Sequence, residues 1–106
     1  MSDWTEEDYL KYEQGIEAAL DKYEIPGHMR NGVIQYIMRG RNTGSFLTNI
    51  FSNDFIRAVG RADEENLASI VNYVKFIVNH APIPCYGSEE KVHSWMSIGG
   101  LRGTSK

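Results

Sequence analysis

Apolar residues recur at steps of three and four along most of this chain, and that spacing favours helices over every other element. Tyr9, Tyr12, Ile16, Ala19, Leu20 and Tyr23 form one such stripe; Met29, Val33, Ile34, Ile37 and Met38 form a second. The strongest is Leu67, Ile70, Val71, Val74, Ile77 and Val78. Its β-branched residues would suit a strand. A strand, however, alternates with period two and ends within about ten residues, so the segment reads as a helix. The spacing predicts one central core helix over 64–80, with these six residues as its buried stripe.

Capping residues punctuate the stripes. Thr5 can cap a first helix, with Glu6, Glu7 and Asp8 favouring its positive end. Ile25-Pro26-Gly27 breaks that helix and starts another, and Gly40 is a natural stop. Gly32 lowers helix propensity in exchange for close approach of a neighbour. Ser45 or Thr43 can cap a helix carrying Phe46, Leu47, Ile50 and Phe51. Ser52-Asn53-Asp54 restarts a short helix with Phe55, Ile56, Ala58 and Val59, which Gly60 ends or kinks; Asp63 caps the core helix. Residues 82–87 read as an extended link, and Ser88 caps a last helix with Val92, Trp95 and Met96 inward before Gly99-Gly100. The expectation is an all-α single domain, a compact bundle of five to six helices. It comprises an acidic N-terminal helix (1–24), a helical core (25–101) and a loose tail (102–106).

A chain of 106 residues suits one domain of marginal stability, which oligomerisation would help. Cys85 is the lone cysteine, so no intrachain disulfide forms and a reducing cytoplasm is expected. The acidic start, Met1-Ser2-Asp3-Trp4-Thr5-Glu6-Glu7-Asp8, does not read as a signal peptide. No apolar run approaches the roughly 20 residues of a membrane span.

Charge is unevenly placed. Residues 1–24 set Lys11 and Lys22 against eight acids. Residues 25–61 set Arg30, Arg39, Arg41, Arg57 and Arg61 against Asp54 alone. Arginine presents a planar fork of donors that fits carboxylate and phosphate. The layout points to an anionic contact on the middle block and argues against duplex DNA wrapped over the whole surface.

The turn Gly40-Arg41-Asn42-Thr43-Gly44-Ser45 runs into a helix start beside Arg39 and Arg41. Free backbone N–H groups and guanidinium forks together suit an anion, although the P-loop spacing is absent and a plain connecting turn has the same composition. Arg57 and Arg61 share a helix face, with Asp54 and Asp63 near enough in sequence to neutralise them. Tyr36, Tyr73, Tyr86 and Trp95 could each stack on a base. Helical spacing places most of them in the core, and Tyr86, beside a glycine in the proline-rich link, is the best exception. His28, His80, His93 and Cys85 lack metal-ligand spacing, so no metal is expected. Cys85 near His80 lacks an orienting third group, so no catalytic constellation, enzyme activity or cofactor is expected.

From about Ile25 onward the pieces Gly44-Ser45-Phe46-Leu47, Asn53-Asp54-Phe55, Arg61-Ala62-Asp63 with Asn66, Asn79-His80-Ala81-Pro82, Cys85-Tyr86-Gly87-Ser88, Glu90-Lys91-Val92, Trp95 and Gly99-Gly100-Leu101 form a pattern. It resembles that of a group of short proteins encoded by bacteriophages and prophages. Tryptophan usually follows the cysteine in that group; Tyr86 stands there in this chain. The acidic helix before Ile25 looks like an addition to the pattern. The resemblance implies a phage accessory protein in the host cytoplasm and carries no activity or site residues with it. Such proteins commonly act by binding.

Two functions follow as expectations. One is a non-enzymatic, homo-oligomeric module that sequesters a small phosphorylated ligand such as a nucleotide signal. In it Arg39, Arg41, Arg57 and Arg61 hold phosphate, Asn42, Thr43 and Ser45 donate hydrogen bonds, and Tyr86 stacks. The other is an inhibitor or adaptor that binds a host protein through the acidic helix.

Overall fold

The computed structural model describes residues 4–104; the first three residues of the acidic start and the last two of the tail lie outside it. Among the described residues there is no strand, and eight α-helices follow one another. They are α1 (Glu6–Lys22), α2 (Gly27–Arg39), α3 (Ser45–Phe51), α4 (Phe55–Arg61), α5 (Glu64–Ala68), α6 (Ile70–His80), α7 (Glu89–Ile98) and α8 (Gly100–Gly103). The all-α expectation holds, with more helices than the five to six expected. The link before α7 is not wholly extended, because Ile83–Cys85 forms a 3₁₀ turn.

Most caps follow the sequence. The Thr5 hydroxyl accepts from the Asp8 N–H while the Asp8 carboxylate accepts from the Thr5 N–H, a reciprocal capping box. Asp54, Asp63 and Ser88 accept from the N–H groups of Arg57, Asn66 and Lys91. The start of α3 differs. Gly44 is its cap, so Ser45 is already helical and no side chain closes that end.

Gly40, at φ +68°, ends α2, with its N–H on the Tyr36 carbonyl and the Arg41 N–H on the Gln35 carbonyl. That left-handed turn also lets α8 in. A Cβ on Gly100, itself at φ +70°, would lie 2.6 Å from the Arg39 backbone nitrogen. Two backbones therefore touch where side chains usually intervene. The Arg102 guanidinium then donates to both Glu6 carboxylate oxygens, at 2.6 and 2.9 Å, and lies over the Tyr9 ring. The described part of the expected loose tail is thus a short helix pinned between α1 and α2. Arg102 can bridge both because a guanidinium offers parallel donors to a carboxylate and a flat face to a ring.

α1 is built into the core, not laid on it: Tyr9, Ile16, Ala19 and Leu20 are buried. α2 runs through the middle, with Val33, Tyr36, Ile37 and Met38 buried. The Tyr36 hydroxyl donates to the Cys85 carbonyl at 2.6 Å, and the Trp95 indole N–H to the Tyr36 and Ile37 carbonyls. These bonds fasten the 3₁₀ turn and α7 to α2. Buried polar groups of this kind are stabilising only when partnered, and these are.

The expected core helix over 64–80 is two helices. It breaks at Ser69, and the break turns Asn66 inward, where its side-chain oxygen accepts from the buried Tyr73 hydroxyl at 2.7 Å. Phe46 packs edge-on against the Tyr73 ring. With Tyr73 held inside, the inward face of α6 is Tyr73, Phe76 and Ile77. The expected stripe is therefore wrong in part. Ile77 is buried and Ile70 half-buried, but Leu67, Val71 and Val78 are 49, 62 and 62 % exposed.

Candidate functional site

The residues singled out by sequence fall into two groups, one at each end of α3. At its start, the turn from Gly40 to Gly44 is shaped by its own hydrogen bonds. The Asn42 side-chain oxygen accepts from the Gly44 N–H at 3.0 Å, and the Thr48 hydroxyl donates to the Gly44 carbonyl at 2.7 Å. Arg41, Asn42 and Ser45 are exposed and Thr43 is half-buried against Gly32. Because Gly44 has no capping side chain, the first N–H groups of α3 have no protein acceptor from that cap.

At the far end of α3 lies a cavity of about 210 Å³, lined by Ile50, Asn53, Phe55, Val74, Ile77, Val78, Tyr86 and Gly87. The Gly87 N–H donates to the Phe51 carbonyl at 2.8 Å, which holds the strip carrying Tyr86 against the end of α3. The lining is almost wholly apolar. Asn53 and Tyr86 are the lining residues with polar side-chain groups. Arg57 is not part of the lining: two residues on from Phe55 it lies on the other side of α4, and its guanidinium is 3.6 Å from Asp54. Seven helical residues span about 10 Å, so the turn and the cavity are separate places on one face or another of α3, not one pocket.

The five central arginines do not converge. Arg30 donates to the Ile25 carbonyl at 2.6 Å and to Asp21 at 3.2 Å, near the end of α1. Arg39 lies in the field of Glu6, at the start of α1. Those two carboxylates are about 22 Å apart along a straight helix. Arg57 is spoken for by Asp54, and Arg61, exposed at the end of α4, makes no ion pair among the described residues. Of the phosphate-binding set, the structure keeps Arg41, Asn42, Thr43 and Ser45 together at the turn and puts Tyr86 alone in the cavity lining, while Arg57 pairs with Asp54.

Sequence reasoning missed Asn53, Phe55, Val74 and Val78 as cavity residues. The available signal was α6 itself, which carries more apolar residues than one buried face can use.

The paired thiol and imidazole are not poised for chemistry. Cys85 is completely buried, and burial pushes its thiol up to about 12. His80 packs its ring against Tyr23 and Phe76. The acidic residues with altered affinity for protons are tied to structure. Glu6 is held below the usual carboxylate range first by its hydrogen bonds from Arg102. Asp63 is lowered first by the Asn66 N–H and then by His28, 3.1 Å away. No cluster of three or more His, Cys, Asp or Glu that could hold a metal occurs among the described residues. No described helix is long and apolar enough to cross a membrane. No family model, curated protein or solved structure matches the chain.

Proposed function

We propose that this chain is a non-enzymatic binding protein for a small phosphorylated ligand with a flat ring, of which a nucleotide is the natural example. The observation that carries the reading is the position of Tyr86. It is the aromatic residue of the link, and it lines an apolar cavity with Phe55 on another wall. A base inserted there is stacked, Asn53 offers both a donor and an acceptor to its edge, and Arg57 meets the phosphate only by leaving Asp54. The cavity is smaller than the ~300–1,000 Å³ of drug-sized sites, so it takes the ring and leaves sugar and phosphate outside. The groups at the α2–α3 turn, Arg41, Asn42, Thr43 and Ser45, come into use for a ligand long enough to run the length of α3, such as a dinucleotide. Arg39 and Arg61 add charge without a defined contact.

The biological setting we propose is that of a bacteriophage accessory protein in the host cytoplasm, removing a nucleotide signal by holding it. The competing reading, a host-protein adaptor working through the acidic helix, has less support. Asp21, Glu6 and Glu7 are paired with Arg30, Arg102 and Lys11, and Tyr9, Ile16, Ala19 and Leu20 of α1 are buried, which leaves Glu13 and Glu17 without an ion pair among the described residues as its available acids.

Calorimetric titration of the full chain with mononucleotides, cyclic dinucleotides and inorganic phosphate tests this. The expected result is binding of a nucleotide but not of phosphate alone, weakened at least tenfold in Tyr86→Ala and in Arg57→Gln. Absence of heat and of any rise in melting temperature across the panel would overturn it.

A further inference from the structure

The walls of the cavity differ in charge. On the α3–α4 side, Asp54 stands between the lining residues Asn53 and Phe55. It accepts from the Arg57 N–H at 3.2 Å and lies 3.6 Å from the Arg57 guanidinium. Both charges there are already paired, and a phosphate brought to that wall meets the Asp54 carboxylate as well as the arginine. Tyr86 and Gly87 line another wall and carry no charge themselves. The charge on that side comes from α7. Lys91 folds its side chain back over Gly87: a Cβ on Gly87 would lie 3.7 Å from both Cδ and Nζ of Lys91. The ammonium therefore stands beside the cavity lining, at the residue after Tyr86. Burial pushes the Cys85 thiol up and the Lys91 charge draws it partly back, so the ammonium is felt along the whole strip from Cys85 to Gly87.

Lys91 is exposed and makes no ion pair among the described residues. Its own N–H donates to the Ser88 hydroxyl at 3.1 Å, which fixes the backbone under the flexible stem. An ammonium on such a stem is a compact point charge with three donors, suited to a phosphate oxygen. The acids nearest in sequence are Glu89 and Glu90, in the first turn of α7, where the helix dipole favours them. Neither pairs with Lys91, but their field opposes an anion there. Inorganic phosphate alone then gains too little to stay, whereas a phosphate delivered by a ring already seated in the cavity is held by both. On the nucleotide reading of the cavity, on which this rests, we infer that Lys91 is its phosphate-binding residue: the ring stacks on Tyr86, and the phosphate it carries runs past Gly87 to the Lys91 ammonium. Arg57 adds a second contact where the ligand draws it away from Asp54.

The test is calorimetric titration of the full chain with adenosine, guanosine, cytidine and uridine and with their 5′-monophosphates, in the wild type, Lys91→Met and Lys91→Arg. The expected wild-type result is binding of a monophosphate at least about tenfold tighter than of its nucleoside, a preference that added salt reduces. Lys91→Met keeps the bulk of the stem over Gly87 and removes the charge. It is expected to lose most of that preference, with nucleoside affinity and helical circular dichroism unchanged. Lys91→Arg is expected to retain most of it. A monophosphate preference as large in Lys91→Met as in the wild type would overturn the inference and leave the cavity reading standing. Equal losses for nucleoside and monophosphate would also overturn it, since Lys91 would then act by packing on Gly87. If no monophosphate binds, Lys91 is not the phosphate contact, and the cavity reading itself falls only if the cyclic dinucleotides give no heat either.

Discussion

The two ends of this molecule solve the same problem differently. Around α1, α2 and α8 the chain closes on itself: two glycine backbones touch, Arg102 grips Glu6, and Tyr9, Ile16 and Leu20 are buried. Around α4, α5 and α6 the helices are short and carry apolar residues on both sides, of which only one side is covered. Both ends draw on ordinary helix periodicity. The first spends its apolar residues on its own core; the second has a surplus, and a surplus of that kind is what a surface for another molecule requires. The difference also locates the candidate site, since the cavity opens in the region with the surplus.

The largest expected effect breaks the closed end. Gly100→Ala puts a methyl group into the backbone of Arg39 and Gly40 and also asks alanine to adopt φ +70°. Neither neighbour can move without undoing the end of α2. A loss on the order of 3 kcal/mol or more is expected from steric overlap and strain together. In a domain of this size that lowers the melting temperature by more than about 10 °C. An unchanged melting curve would mean that α8 is not docked on α2.

A second experiment contrasts the two sides of one helix. Ile77 is buried and Val78, its neighbour, is 62 % exposed. Ile77→Ala is expected to cost about 2–4 kcal/mol from lost burial and the cavity left behind. Val78→Ala is expected to cost under about 0.5 kcal/mol in the isolated chain, as surface substitutions do. Urea denaturation of both at a concentration low enough to keep the chains apart measures this. Equal losses would erase the distinction between the covered and uncovered sides of α6.

That contrast is also where sequence reading reached its limit. Periodicity and caps gave the all-α class and most of the helices, because caps such as Thr5, Asp54, Asp63 and Ser88 act locally and are legible one residue at a time; they missed the break at Ser69 and the short helix α8. Neither gave the facing of α6. When valine and isoleucine lie all around a helix, the buried side is chosen by long-range partners. Here the long-range partner is Phe46, which packs on Tyr73 from α3, while the bond from Tyr73 to Asn66 ties α6 to the adjoining α5. The site followed the same rule. Tyr86 stood out by its local setting, in a proline-rich link where no helical stripe claimed it. Asn53 and Phe55 did not, because their role depends on Val74 and Val78 arriving from another helix. The arginines failed as one patch for the reason that composition has no direction: Arg30 and Arg39 reach opposite ends of α1, Arg57 turns to Asp54, and Arg61 is exposed at the end of α4.

Two tyrosines of the closed end give a subtler comparison. The Tyr36 hydroxyl donates to a buried carbonyl, and burial holds its proton well above the usual tyrosine range. The Tyr9 hydroxyl is buried without a protein partner. Tyr36→Phe orphans the Cys85 carbonyl and is expected to cost about 1–3 kcal/mol. Tyr9→Phe removes a buried polar group that gains nothing from the protein, so its expected effect is near zero or slightly stabilising. Thermal unfolding of the two variants separates them, and a larger loss for Tyr9→Phe would show that its hydroxyl has a partner such as bound water.

The smallest expected effect concerns protons, and it divides the two ends once more. Glu6 and Asp63 both sit below their ordinary carboxylate values in the folded chain, Glu6 through Arg102 and Asp63 first through the Asn66 N–H. A depressed carboxylate stabilises the fold in full above its unfolded-state value, and that contribution disappears as pH falls through the folded-state value. Stability is therefore expected to be level near neutrality and to decline on acidification below the usual carboxylate range. Both groups are solvent-exposed, so the decline is gentle and salt weakens it. Glu6→Gln is expected to lower the melting temperature slightly at pH 7, by a difference that vanishes as pH falls through the folded-state value of the wild-type carboxyl. Asp63→Asn is expected to do the same at the α4–α5 junction, where the asparagine oxygen still accepts from the Asn66 N–H but no longer attracts His28. If the loss in either variant does not shrink on acidification, its carboxylate acts through packing and not through charge. For Glu6, the hold of Arg102 on the closed end would then rest on its contact with the Tyr9 ring.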